Sequence, residues 1–457
     1  GYVGGPTMAV LANNNPNIKV NVVDSNKAKI DLWNSKNLNE LPIYEPGLSK
    51  LIEKNRDKNL FFTSNVSHSI AEADMIFISV NTPTKTKGLG AGYASDLKWV
   101  ESSTREVAKF ANGHTIVVEK STLPVRTALT IKSILEAYEQ KGNFKSENKS
   151  FSILSNPEFL AEGTAIKDLE NPDRVLIGGE DNQSIDLLKN IYLNWVDKNK
   201  IITSDLWSSE LSKIISNAFL AQRVSSINSI SALCEATEAN INNVAKAVGM
   251  DHRIGKYFLN AGPGFGGSCF KKDISNLIYI CNYYGLKEVA SYWEGVISIN
   301  NWQKKRISKI IVEKLYGNLS DKKLSILGFS FKSNTNDTRE SPAIGICNDL
   351  LEEGCYLSIY DPKVNENQIA NVIGGNKYSL DKDKSNYNWS FSKNVYDCTI
   401  NSDAILILTD WDEFLKLDLK KIFNNMRAPC WIFDTRNIVN SSDAKSIGFN
   451  VWKVGNS

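Results

Sequence analysis

Histidine is scarce in this chain of 457 residues: His68, His114 and His252 stand far apart. No Cys or His pair has the spacing of a metal site, so no metal is expected. The seven cysteines form no C-x-x-C pair and no even framework. That excludes a disulfide-stapled scaffold and predicts reduced thiols. One-sided charge is missing too: 53 Lys and Arg against 51 Asp and Glu leave a formal charge of +2. Such a balance offers nothing to draw nucleic acid or an anionic membrane, and neither is expected as a partner. No signal-peptide pattern is evident, and no apolar run is long enough to span a bilayer. With 42% hydrophobic and 23% charged residues, the remainder reads as a cytoplasmic globular protein of two or three domains.

The stretch from Gly262 to Asp273, Gly-Pro-Gly-Phe-Gly-Gly-Ser-Cys-Phe-Lys-Lys-Asp, organises the chain. Four glycines in six residues allow sharp turns and a close approach to a ligand. Ser268 is placed to cap a helix that continues through Asp273–Cys281 with helical apolar spacing. Cys269 then sits in or beside the first turn, where free N–H groups and the dipole favour a thiolate. Asp273 follows at i+4 on the same face. A buried thiol beside an ordinary glycine-capped helix is the plainer reading. The coincidence of Cys269, its cap, two lysines and an i+4 acid favours a nucleophilic cysteine.

The chain opens Gly1-Tyr-Val-Gly4-Gly5, and Gly1-x-x-Gly4 matches the second half of a dinucleotide-binding fingerprint. The first glycine and its strand are expected upstream, so the sequence reads as a piece of a longer chain, bound to aggregate and to hold NAD poorly without that strand. The stretch 18–24 is a strand ending at Asp24, about 20 residues on, where a carboxylate accepts ribose hydroxyls and favours NAD over NADP. Lys27 and Lys29 pull the other way. Residues 74–80 and 115–119 are short apolar runs of the kind buried in parallel sheets. The turns after them, Val80-Asn81-Thr82-Pro83-Thr84 and Lys120-Ser121-Thr122, should face a ligand at the carboxyl edge. A helix is expected to open at Pro124 or Val125. Strand 151–154 leads into Asn156-Pro-Glu158-Phe159-Leu160-Ala161-Glu162-Gly163, a strand-end position suited to a general base. Residues 174–179 add a strand.

From 205 to about 250 the pattern is helical, and residues 208–248 and 288–315 read as long helices forming a subunit interface. Lys213 and Asn217 share a face with apolar neighbours, an uncommon place for an ammonium unless it snorkels. A second βαβ domain follows, with strands at 323–328, 356–361, 403–408 and 431–434. Its loop from Phe329 to Ser341 carries Lys332 and Arg339, cations suited to a diphosphate. Residues 376–392 read as a surface insertion. The boundaries are 1–204, 205–318 and 319–457: two Rossmann-like doubly wound α/β domains joined by a long helical central region.

In order along nearly the whole chain, these motifs resemble the nucleotide-sugar 6-dehydrogenase family: Gly1-Tyr-Val-Gly4-Gly, Val80-Asn-Thr-Pro-Thr84, Glu119-Lys-Ser-Thr122, Asn156-Pro-Glu158-Phe-Leu-Ala-Glu162-Gly, Glu210-x-x-Lys213-x-x-x-Asn217, Gly266-Gly-Ser-Cys269-Phe and Asp337-Thr-Arg339-Glu-Ser. The resemblance implies an NAD-dependent, four-electron oxidation of UDP-glucose to UDP-glucuronate through a cysteine thioester. By position, Cys269 is the nucleophile, Lys213 and Asn217 stabilise the charged oxygen, and Asp273 supports proton transfer with a water near Thr122. Glu158 is the base for hydrolysis. The first domain takes NAD, lined by Gly1, Gly4, Asp24, Lys29, Val80, Asn81, Thr82, Pro83, Thr84, Ser121, Thr122, Glu162 and Arg339. The last domain takes the UDP-sugar. Its expected contacts are the 158–162 segment (Glu158, Phe159, Leu160, Ala161, Glu162), Lys213, Asn217, Phe258, Asn260, Phe265, Gly266, Phe331, Lys332 and Arg436, with Arg253 reaching from a neighbouring subunit of a homo-oligomer. GDP-mannose, UDP-N-acetylmannosamine, or a catalytically silent sugar-nucleotide binder are the alternatives. Retention of Cys269 and Lys213 speaks against the last.

Overall fold

The structure, a computed structural model, describes residues 1–140, 149–374 and 388–456. It divides into two compact units, Gly1–Ser216 with Ser275–Gly285, and Asn217–Ile274 with Leu286–Ser457.

In the first unit, β1 (Val20–Val23) and β2 (Leu60–Thr63) pair in parallel as a two-stranded sheet. A separate five-stranded sheet holds β3 (Met75–Ile78), β4 (His114–Glu119), β5 (Ser150–Ser155), β6 (Val175–Gly179) and β7 (Ile201–Ser204), side by side in that order. Its strands are parallel except for β5 against β6, which run antiparallel. β4 shows why apolar runs form its centre. Val117 points into one cluster with Ile78, Val107 and Ile131, while Ile116 and Val118 point into another with Leu154, Ile177 and Leu188. Both faces are buried, and each such side chain contributes about 1.5–3 kcal/mol. The helix expected to open at Pro124 or Val125 begins two or three residues later, at Thr127.

In the second unit, β8 (Lys323–Leu327), β9 (Tyr356–Tyr360), β10 (Trp389–Phe391), β11 (Ala404–Ile407), β12 (Trp431–Asp434) and β13 (Asn450–Lys453) form one parallel sheet. Their order, β10-β9-β8-β11-β12-β13, is the doubly wound 3-2-1-4-5-6 arrangement with its switch between β8 and β11. The expected surface insertion is corrected here. Residues 388–392 contain β10, paired with β9 through Trp389 opposite Leu357, and residues 376–387 lie outside the described residues.

The helix Leu206–Ala236 runs 31 residues with neither glycine nor proline. The single helix expected to 248 is two: Glu238 adopts a φ of +57°, and Asn240 caps a second helix, Ile241–Gly249, accepting from the N–H groups of Asn242 and Asn243. Lys287–Lys314 is a continuous helix of 28 residues. Among the described residues no helix is long and apolar enough to cross a membrane.

Candidate active site

In the second unit, the glycine loop is held by three buried amides. Asn228 Oδ1 accepts from Gly262 N at 2.8 Å, and Gln303 Nε2 donates to Gly262 O at 2.9 Å. Asn300 binds Phe265 twice, accepting from its N–H at 2.8 Å and donating to its carbonyl at 3.2 Å. Glycine is required where the loop passes the segment of Phe331 and Glu340. A Cβ on Gly266 would lie 2.6 Å from Glu340 O, and Gly267 has a φ of +84°.

The loop delivers Cys269 to the start of the helix Phe270–Tyr283. The Cys269 carbonyl accepts from Asp273 N at 2.8 Å, so the cysteine itself, not Ser268, occupies the cap. The Ser268 hydroxyl lies 3.5 Å from its sulfur. Of the seven cysteines Cys269 alone is exposed. Asp273 is buried, and its Oδ2 accepts from Asn217 Nδ2 at 2.6 Å. The two lysines beside the cysteine meet carboxylates: Lys271 pairs with Glu340 at 2.9 Å, and Lys272 lies 3.7 Å from Asp273.

Phe331, Lys332 and Arg436 lie close together around this loop's neighbours. The Lys332 ammonium lies 5.6 Å from the Phe331 ring, and Arg436 donates to Leu408 O at 2.9 Å and Phe331 O at 3.2 Å. The Phe265 and Phe258 rings both meet Phe270, at 5.8 and 6.4 Å. Arg339 forks onto Asp337, at 2.6 Å for its shortest contact. Asn260 is exposed. Arg253 is paired with Asp251 of its own chain, and its side chain is 78% exposed. Sequence reasoning missed Arg223, whose guanidinium holds the carbonyls of Ile254, Gly255 and Tyr257 at 2.7–2.9 Å. A polar residue in a long helix gives no sign of such a role.

In the first unit, Glu158 follows β5. Its Oε1 accepts from the N–H groups of Phe159 at 2.8 Å and Leu160 at 3.2 Å, and its Oε2 lies 2.9 Å from the Lys120 ammonium. Burial alone would raise this carboxyl. The Lys120 charge and hydrogen bond, with the Phe159 N–H, outweigh it and hold Glu158 below the ordinary glutamate value. Lys213 is buried, its ammonium 5.3 Å from the Phe159 ring, and Arg174 stacks on the same ring at 3.8 Å. Glu45, unmarked by any motif, accepts from Gly163 N and Ala165 N at 2.8 and 2.7 Å and so holds the turn after Glu162.

Beside these, Glu119 at the end of β4 is buried with no partner for its carboxyl except Glu210. Burial first, and then the neighbouring Glu210 charge, push Glu119 well above the ordinary range, so it carries the proton between the two. Glu210 in turn accepts from Arg126 N at 2.7 Å and Ala128 N at 2.9 Å.

The residues expected around the cofactor fit a dinucleotide. Helix Gly4–Asn14 has no acid in its first turn, and a Cβ on Gly4 would lie 3.1 Å from Ser79 Oγ, so the helix sits close to the segment after β3. Asp24 directly follows β1, its Oδ1 accepting from Asn26 N at 2.9 Å, and Lys29 is 3.9 Å from its Oδ2. The loops after β3 and β4 are joined, Ser121 Oγ donating to Val80 O at 2.7 Å and Thr82 Oγ1 to Thr122 O at 3.1 Å.

A fingerprinted α/β unit and a second doubly wound unit with an exposed helix-cap cysteine define a nucleotide-dependent dehydrogenase. Residues 1–196 match the NAD binding domain of the UDP-glucose/GDP-mannose dehydrogenase family, residues 207–302 its central domain and residues 325–441 its UDP binding domain. The chain belongs to this family and is an NAD-dependent oxidoreductase. It is 51% identical over 471 residues to UDP-glucose 6-dehydrogenase 1 of Glycine max, covering 100% of this chain and 95% of that one. The UDP-glucose 6-dehydrogenase of Caenorhabditis elegans is 52% identical over 461 residues, covering 100% and 94%. Among solved structures, a UDP-glucose dehydrogenase from Pyrobaculum islandicum superposes with a TM-score of 0.83 at 28% identity, covering 98% of this chain and 96% of that one.

Proposed function

We propose that this enzyme oxidises the C6 alcohol of UDP-glucose twice to give UDP-glucuronate, through a thiohemiacetal and a thioester on Cys269. The observation that carries the reading is Cys269 itself, the one exposed cysteine, at the cap of a helix and one turn before a buried Asp273 bound to Asn217. Bound NAD supplies the acceptor for the hydride that leaves in each oxidation. The cap position favours the Cys269 thiolate, which adds to the C6 aldehyde. Lys213 and Asn217 stabilise the resulting oxyanion, and Asp273, with a water near Thr122, carries the proton. Once the second hydride has left, water attacks the thioester, Glu158 takes its proton, and Cys269 departs as the thiolate. Phe258 and Phe265 suit a pyrimidine base, and relatives at 51–52% identity are named UDP-glucose 6-dehydrogenases, which supports UDP-glucose over other nucleotide sugars. Free thiols suit a cytoplasmic setting. Phe219, Leu233 and Tyr292, each more than half exposed on the two long helices, support a homo-oligomer formed there, with Arg253 offered to the neighbour.

Cys269→Ser tests the scheme: turnover should collapse by several orders of magnitude while UDP-glucose binding, measured by calorimetry, is largely kept. Near-normal turnover would remove Cys269 from the mechanism.

A further inference from the structure

Lys120, Asn156 and Tyr192 have no part in the scheme above, yet they form a fully buried polar cluster joined to Glu158. Lys120 is 3% exposed, and its ammonium meets three acceptors: Glu158 Oε2 at 2.9 Å, Asn156 Oδ1 at 3.0 Å and the Tyr192 hydroxyl at 3.3 Å. An ammonium has three N–H bonds, so each finds a partner. Asn156 cannot turn, because its Nδ2 donates to Leu176 O at 2.8 Å while its Oδ1 also accepts from the Tyr192 hydroxyl at 2.6 Å. Lys120 is thereby fixed by two partners besides Glu158. The carboxylate's other oxygen, Oε1, is fixed by two backbone N–H groups, while Oε2 also accepts a longer contact of 3.4 Å from the Thr7 hydroxyl.

We infer that Lys120 is the positioning residue of the hydrolytic step, holding Glu158 as an oriented anion through the anchor formed by Asn156 and Tyr192. This rests on the reading that Glu158 takes the proton in thioester hydrolysis. In that step the water oxygen bonds to the thioester carbon, one water proton passes to Glu158, and the C–S bond breaks with its electron pair on sulfur. No redox change occurs. Lys120 gives up no proton; its charge keeps the carboxylate ionised before each turnover. Removing it strands a carboxylate in a buried site, which then takes up a proton at higher pH.

The test uses the full chain with NAD and UDP-[14C]glucose, quenched rapidly, and follows the decay of protein-bound label with pH. The unmodified enzyme should show no acid limb above about pH 5, and Lys120→Met should decay about 10²-fold more slowly near pH 6 and recover toward pH 9. A loss uniform across pH would mean only damaged structure and would overturn the inference. Lys120→Met/Glu158→Gln should decay no more slowly than Glu158→Gln; losses that multiply would also overturn it. If Glu158→Gln decays at the parent rate, the Glu158 reading itself fails. If Glu158→Gln is slow but Lys120→Met shows no pH-dependent loss, the Lys120 inference alone fails. Should Lys120→Met not fold, the double variant, free of both charges, still folding would support the pairing. Should neither fold, the unmodified profile decides, and an acid limb above about pH 5 contradicts the inference.

Discussion

Replacing Asn300 by leucine tests how the glycine loop is held. Leucine keeps the branched heavy-atom skeleton of asparagine, with methyl groups in place of the amide oxygen and nitrogen, so the change removes two hydrogen bonds and opens no space. Asn300 is 3% exposed and Phe265 is 7% exposed, so the Phe265 N–H and carbonyl would be left buried without partners. Each such group costs about 1–3 kcal/mol, which gives a loss of about 2–6 kcal/mol in the second unit. With a urea slope of roughly 3 kcal/mol/M, the midpoint of that unit should fall by about 0.7–2 M. The loop also carries Cys269, and a displacement of about 1 Å at a reacting group costs on the order of 10²-fold in rate. Urea unfolding followed by tryptophan fluorescence, with turnover measured in the absence of urea, reads both effects. A midpoint within about 0.2 M of the parent and an unchanged turnover would show that Asn300 does not hold the loop.

Lys213→Ala should slow turnover about 10²–10³-fold if it is one oxyanion donor, and steady-state NADH formation checks this; a loss below about threefold would make it a snorkelling lysine. Glu119→Gln should stabilise the protein increasingly as pH rises, by the following sign. The folded carboxyl titrates above its unfolded value, so folding holds a proton that the unfolded chain releases, and stability declines from about pH 4.5 upward. Glutamine still donates to Glu210 but carries no such proton, so thermal melting should show little change near pH 5 and a gain that widens toward pH 9. A constant difference across that range would mean that Glu119 is not the protonated member of the pair.

The parts of the fold readable in the amino-acid order are those buried on both faces. The central runs of β3, β4 and β11 are continuous and apolar because helices cover both sides of their sheets, and in β8 only Ser325 interrupts the run after Lys323. β7, with Ile202 48% exposed, and the three-residue β10 lack that signature, and β10 also follows a long polar stretch. At the site, the cysteine, its loop and the strand-end carboxylates are legible because their residue types are unusual in those places. Asn228, Asn300, Gln303 and Tyr192 are not: a polar residue on a helix reads as solvent-facing until tertiary structure buries it, the three amides against backbone groups and Tyr192 against Asn156. Arg339 and Arg253 show the converse limit. Their identities mark them as anion ligands, yet each is bound here by an aspartate two residues away.

The central claim is that one cysteine captures the aldehyde from the first oxidation and holds it for the second, and reaction stoichiometry tests it most directly. With UDP-glucose limiting and NAD in excess, the account predicts two NADH for each UDP-glucose consumed and no aldehyde trapped by an added hydroxylamine. One NADH per UDP-glucose, with the oxime of the aldehyde accumulating, would contradict it.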